Sequence, residues 1–167
     1  SIMKWQSSED SGSNWTDIPN TATSQTAIDL TQTTQYRAVV QNGVCVEVSS
    51  ATTTVTIDAA SVGGVVSGSD TVCTGSNSTL LSLSGNTGSI TKWQYSEDGG
   101  SSWTDIVNTT SSYTATNLTQ ASVYRAVIQS GVCVEIYSAT AVVTVDAASV
   151  GGTIAGSTSV CTGSNST

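Results

Sequence analysis

The 167-residue sequence has no histidine, no phenylalanine, one proline, one methionine and only four basic residues, Lys4, Arg37, Lys92 and Arg125. Without histidine there is no imidazole base, no Ser-His-Asp triad and no His-ligated metal site. Four cations against twelve acids give a formal net charge of −8, and such a chain cannot lay down the basic footprint that nucleic-acid backbones require. Apolar runs such as Ala141-Val142-Val143 fall far short of the roughly 20 residues of a membrane-spanning helix. No Cys-x-x-Cys spacing occurs, which argues against zinc. No leader peptide is visible, and Ser1 falls inside a repeating pattern, so the natural start is expected upstream. What abounds is hydroxyl: 29 Ser and 28 Thr. That composition borders on disorder, but four Trp, five Tyr and many Val and Ile supply apolar surface for small cores.

The chain repeats itself. Ser1-Ile2-Met3-Lys4-Trp5-Gln6 returns as Ser89-Ile90-Thr91-Lys92-Trp93-Gln94, and the offset of 88 holds without a gap to Thr167, with 54 of 79 overlapping positions identical. A unit of 88 is too long for a solenoid turn and suits a small β-sandwich. Gly63-Gly64 and Gly151-Gly152 break the preceding strand patterns, which places boundaries near Ala59-Ala60 and Ala147-Ala148. The expected organisation is therefore the latter two thirds of one domain at 1–60, a complete domain at 61–148, and the opening of a third at 149–167. Links this short restrict bending between domains, so a semi-rigid string is expected.

Alternation with period two recurs and helical periodicity is absent. Thr79, Leu81 and Leu83 form one inward-looking set. Thr91, Trp93 and Tyr95 form the next, then Thr114, Thr116 and Leu118, then Tyr124, Ala126 and Ile128, and finally Val143 and Val145. Six or seven short strands with frequent turns specify an all-β, immunoglobulin-like sandwich without helices. Trp93 stands where strand C of such a domain places its core indole, and core filling is the expected role of Trp93 and Trp5. Leu118 precedes Tyr124 by six residues, as Leu30 precedes Tyr36. That interval suits a tyrosine corner, in which the phenol bonds back to the crossover backbone. Ser96, Asp98, Gly100 and Trp103 fit S-x-D-x-G-x-x-W, as do Ser8, Asp10, Gly12 and Trp15. This pattern resembles the Asp-box hairpin, in which the carboxylate pins the turn and glycine takes the positive-φ position, so a structural role is expected.

Two periodic cysteine pairings are open. Cys73 and Cys133 lie 60 residues apart, whereas Cys45 to Cys73 and Cys133 to Cys161 are each 28 apart and cross a domain boundary. The within-domain staple Cys73–Cys133 is favoured because it closes a long loop, worth roughly 3–4 kcal/mol to a small core. Cys45 and Cys161 then pair with neighbouring repeats. Regular cysteines in an acidic, hydroxyl-rich domain point outside the cytosol. A calcium clamp at Asp58 or Asp146 is disfavoured, since one acid per junction falls short of the six to eight oxygens calcium takes. Asn77-Ser78-Thr79 and Asn108-Thr109-Thr110 match N-glycosylation sequons that arise cheaply in this composition. Lys92 could in principle form an isopeptide bond, but a surface lysine is the expected reading.

Taken together, Thr71-Val72-Cys73-Thr74-Gly75-Ser76-Asn77-Ser78-Thr79-Leu80, Trp93-Gln94-Tyr95-Ser96-Glu97-Asp98, Tyr124-Arg125-Ala126-Val127 and Ser130-Gly131-Val132-Cys133 resemble the Ig-like repeats of large Bacteroidota surface proteins. The closest likeness is to gliding-motility adhesins of the SprB type, and it covers the whole chain. The resemblance implies type IX secretion, display as a cell-surface filament, and a role in adhesion and gliding. It also implies the Cys73–Cys133 pairing. It brings no catalytic residues and no cofactor. Separately, Asp70-Thr71-Val72 resembles the Bacteroidota O-glycosylation sequence, with Thr71 as the acceptor, but the next repeat has Thr158-Ser159-Val160 there, so a glycan would be irregular. The expected role is a structural repeat whose partners are adjacent repeats of the same chain and surface or extracellular polysaccharide. At about 35–40 Å per domain, ten repeats would project about 400 Å, and the negative charge would keep the array soluble. The competing reading is a carbohydrate-binding module stacking Tyr95, Tyr113 or Trp103 on sugar. Against it, Tyr95 and Tyr113 are Ser7 and Gln25 in the other copy. A glycosidase using Glu97 and Asp98 is disfavoured because neighbours on a strand point to opposite faces.

Overall fold

The computed structural model describes residues 1–163, which contain strands and turns and no helix. They form two compact units, Ser1–Ala60 with Ser130–Val134, and Ser61–Gln129 with the residues from Glu135 onward. In the first unit, β1 (Ile2–Ser8), β2 (Thr16–Ile18), β3 (Thr34–Val40), β4 (Val48–Ser49) and β5 (Thr53–Val55) make one antiparallel sheet. Its order is β2-β1-β3-β4, with β5 also on β3. Tyr36, Ala38 and Val39 are its buried apolar side chains.

The second unit has β6 (Val65–Ser67), β7 (Asp70–Cys73), β8 (Ser78–Ser84), β9 (Ser89–Ser96), β10 (Thr104–Ile106), β11 (Ser112–Thr116), β12 (Ser122–Gln129), β13 (Ile136–Tyr137) and β14 (Ala141–Asp146). One sheet runs β10-β9-β12-β14-β7 with β13 on β12, and the other runs β11-β8-β6. Pairing is antiparallel except between β14 and β7. The opening segment thus serves both sheets, pairing first with β8 and then with β14. The switch falls at Gly68, whose φ of +106° is open to glycine, and a Cβ there would run into the Leu80 carbonyl oxygen. Val66, Leu81, Leu83 and Ala115 from one sheet meet Trp93, Tyr124, Ala126, Ile128, Ala141 and Val143 from the other. This is the two-layer core of an immunoglobulin-like sandwich. Trp93 sits at its centre, fully buried, and its Nε1–H donates to the Thr110 carbonyl at 2.9 Å.

Four expectations need correction. Thr91 does not face inward. The β9–β12 register slips between Val127–Lys92 and Ile128–Ile90, so one residue is absorbed in a bulge and Ile90 packs against the core instead. On β11 the inward side chains are Tyr113 and Ala115, while Thr114 and Thr116 are exposed. Asn117, at φ +54°, reverses the chain before Leu118.

The tyrosine corner also takes another form. Tyr124 is buried, and desolvation raises its phenol pKa. The crossover backbone is held instead by Asn77. Its amide donates to the Cys73 and Leu118 carbonyls, each at 2.8 Å, and accepts the Leu118 N–H at 2.8 Å. Tyr36 is likewise buried, opposite Ser7 in the β1–β3 register.

Nor is Cys73 bonded to Cys133. Cys73 is in register with Asp146, beyond the Ser122 end of β12, whereas Cys133 follows the Gln129 end. The eight residues of β12 alone span about 26 Å at roughly 3.3 Å each, against a Cα separation of at most about 7 Å in a disulfide.

Of residues 149–167, expected to open a third repeat, 149–163 form no strand and 164–167 lie outside the described residues. In the preceding copy the same pattern becomes strand by pairing with β8 and β14, which come later in the repeat.

Candidate functional site

The β9–β10 hairpin carries the densest polar cluster. Asp98 Oδ1 accepts from Ser96 Oγ at 2.7 Å and from the Ser101 and Ser102 N–H groups, each at 2.9 Å, while Oδ2 accepts from Ser102 Oγ at 2.5 Å. Ser96 Oγ in turn accepts the Gly100 N–H at 2.8 Å, and Gly100 has φ +98°. Trp103 closes the turn by donating Nε1–H to the Gly100 carbonyl at 3.0 Å. The first unit repeats the construction. Asp10 accepts from Ser8 Oγ at 2.8 Å, from the Asn14 N–H at 2.8 Å and from Asn14 Nδ2 at 2.6 Å, and Gly12 N–H donates to Ser8 Oγ at 2.8 Å. Hydrogen bonds donated by the Ser102 hydroxyl and then by the Ser102 backbone N–H hold the Asp98 carboxyl well below its ordinary range. Bonds from the Asn14 backbone and side chain bring Asp10 down to about 2. A carboxylate so occupied stays ionised at neutral pH and has no proton to give. Chemically it is a pin for the turn.

Beside the hairpin, the outer sheet face carries a ladder of charge. Lys92 Nζ lies 2.7 Å from Asp105 Oδ2, and Gln94 Nε2 donates to Asp105 Oδ1 at 2.7 Å. Arg125 Nε donates to Gln94 Oε1 at 2.8 Å. The Arg125 guanidinium lies 3.8 Å from the centroid of the Trp103 ring and 3.7 Å from that of Tyr137. The first unit matches it except at Tyr137, whose counterpart is Ser49. Lys4 meets Asp17 at 2.7 Å, Gln6 donates to Asp17 at 2.6 Å, Arg37 donates to Gln6 at 2.7 Å, and Arg37 lies 3.9 Å from the Trp15 centroid. Hydrogen bonding to Asp105 raises Lys92, and the Asp17 contact raises Lys4. All four basic residues of the sequence are therefore committed to the same internal ladder. The spacing Lys-x-Gln on one strand, with Arg on its partner, stands in both copies and was the available signal for it.

Against this frame the remaining candidates fall into place. Tyr95 and Tyr113 turn toward the core, with ring centroids 6.4 and 5.8 Å from that of Tyr124, and Tyr113 is 6.1 Å from Trp93. Trp103 is half-buried under Arg125. Thr71 is exposed on β7, its hydroxyl 2.6 Å from that of Thr144. The Asn77 amide is spent on the corner. Asn108 accepts the Thr110 N–H at 2.8 Å and donates to the Ser112 carbonyl at 2.8 Å, shaping the turn that receives the Trp93 indole. Among the described residues no three acidic or thiol side chains converge as a metal site would require.

Comparison with known proteins returns a family described as a domain of unknown function (DUF8696), which matches twice, over residues 1–59 and 62–147. No curated protein matches the chain. Among solved structures it is similar to the crystal structure of the chicken CNTN1 FN1–FN3 domains. The identity is 13% and the TM-score 0.38, over 87% of this chain and 57% of that one. The chain thus spans little more than half of that structure's length.

Proposed function

We propose a structural role for this chain, which belongs to the family described as a domain of unknown function (DUF8696) and carries its unit twice. It is a repeat of a long extracellular adhesin, serving to project adhesive parts of the protein from the cell surface during attachment and gliding. One observation carries this reading. Both copies spend their cations, their hairpin carboxylate and their tryptophans on the same internal framework. A domain that commits its reactive groups to holding its own shape, and does so in tandem, suits a spacer. The excess of acids over bases, twelve to four, adds mutual repulsion that keeps neighbouring filaments apart. The partial burial of Tyr95 and Tyr113 against the core and the Arg125 guanidinium over Trp103 weigh against a sugar-stacking platform.

Two measurements test the proposal. Scattering from chains of increasing repeat number should show the longest dimension growing by about 35–40 Å per repeat. Antibodies against residues 61–148 should label intact cells that make the protein, and removing the array should reduce their attachment. Unlabelled cells, unchanged attachment, or saturable binding of the chain on a glycan array would overturn it, the last in favour of a carbohydrate-binding module.

A further inference from the structure

We propose that the cysteines form a disulfide across each junction of the array, joining the Cys73 position of one repeat to the Cys133 position of the repeat that follows. The inference rests on tandem repetition alone and is independent of the adhesin role. It starts from the two ends of the second unit. At one end the chain leaves β14, where Asp146 is in register with Cys73 and Thr74 N–H donates to the Asp146 carbonyl at 2.9 Å. At the other the chain arrives. Val62 bridges to Thr87, and Ala139 N–H donates to the Gly64 carbonyl at 3.0 Å, just past the hairpin that holds Cys133. Cys73 therefore marks the trailing end of a repeat and Cys133 the leading end. Covalent continuity brings the trailing end of one copy to the leading end of the next. The within-repeat pair is separated by the full length of β12.

The first unit supplies a second, positive observation. It takes in Ser130–Val134, where Val132 N–H donates to Asp58 Oδ2 at 3.1 Å and the Cys133 thiol lies 3.5 Å from the Ala59 carbonyl oxygen and 3.8 Å from that of Asp58. Asp58 is the counterpart of Asp146 one repeat earlier, and Asp146 is the residue registered against Cys73. The hairpin sulfur thus rests at the strand position beside which a trailing-end cysteine belongs.

The chemistry is thiol–disulfide exchange. Two thiols lose two protons and two electrons as the S–S bond forms, and the electrons reduce a small-molecule disulfide such as oxidised glutathione to two thiols. The partner of Cys73 is the hairpin cysteine one repeat beyond Cys133, so the test lengthens the full 167-residue chain by a further copy of residues 80–167. The product is folded in a glutathione redox buffer, and its mass and cross-linked peptides are read. The expected result is a loss of two hydrogens and one cross-link, from Cys73 to the added hairpin cysteine. Cys73→Ser should abolish that cross-link and Cys133→Ser should leave it in place. A Cys73–Cys133 cross-link, a cross-link between cysteines 28 residues apart, or no cross-link in a chain with an intact β-sheet circular dichroism spectrum would overturn the proposal.

Discussion

Replacing Asn77 with alanine should open the corner between β7 and the crossover that leads into β12. The side chain makes three hydrogen bonds there, two as donor to the Cys73 and Leu118 carbonyls and one as acceptor from the Leu118 N–H, all at 2.8 Å. Each such bond contributes about 0.5–1.5 kcal/mol net. The corner is half-exposed, so water can replace part of what is lost, and the expected destabilisation is about 2 kcal/mol. For a domain of this size that lowers the midpoint of its thermal transition by about 8–15 °C. Calorimetry of the full chain reads the midpoint, and hydrogen exchange at the Leu118 amide reports the corner itself. Asn77→Asp keeps the acceptor for Leu118 N–H but sets a carboxylate oxygen against the Cys73 and Leu118 carbonyls, so at neutral pH it should be no more stable than alanine. The backbone bond from Asn117 N–H to the Asn77 carbonyl, at 3.0 Å, survives in either variant and should stay protected. If Asn77→Ala shifts stability by less than about 0.5 kcal/mol and leaves Leu118 exchange unchanged, the corner does not depend on Asn77.

Two further outcomes concern the hairpins. Asp10 is held at about 2 in the folded chain, below the ordinary carboxylate value, so its contribution to stability is fully present above about pH 4 and is lost as pH falls through about 2. Acid unfolding should therefore be less steep in Asp10→Asn over that window, and unchanged steepness would show that the carboxylate does not pin the turn. Ser11 sits at φ +60°, where its counterpart Gly99 has φ +72°. Ser11→Gly should relieve about 1 kcal/mol of left-handed strain, and a lower urea midpoint in that variant would contradict the geometry.

Much of this is legible in the sequence. Trp93 and its neighbours Leu81, Leu83, Tyr124, Ala126 and Ile128 announce themselves by alternation, because each strand buries one face. The Asp98 turn is legible because its bonds lie within one short stretch of chain. What escaped depends on non-local register. The bulge that sends Thr91 outward is a property of the β9–β12 pairing. On β11, alternation fits two faces equally well when threonines flank Tyr113 and Ala115, and only packing against Trp93 chooses between them. The cysteine error has the same root. Loop length ranks Cys73–Cys133 highly, but where the two residues stand along β12 is invisible until the strands are paired.

The two copies also show where this fold admits change. At the ladder, Lys4 and Lys92, Gln6 and Gln94, Trp15 and Trp103, Asp17 and Asp105, and Arg37 and Arg125 are the same, whereas Tyr95 and Tyr113 are Ser7 and Gln25. The two tyrosines share one neighbour, since each ring lies against Tyr124. In the first unit Gln25 instead accepts from Asn20 Nδ2 at 2.7 Å and donates to the Thr26 carbonyl at 2.9 Å. Their replacement should therefore be coupled. Once Tyr95→Ser removes one ring, Tyr124 can shift, and Tyr113→Gln then removes less than it would from the intact cluster. The double variant should be less destabilised than the sum of the singles by about 0.5–1.5 kcal/mol, the range for aromatic pairs that share a partner. A double-mutant cycle in urea measures this, with the tryptophan fluorescence of Trp103 as a control that the ladder stays closed. Additivity within about 0.3 kcal/mol would mean that Tyr124 is fixed by the sheet alone, and that the two positions drift independently from repeat to repeat.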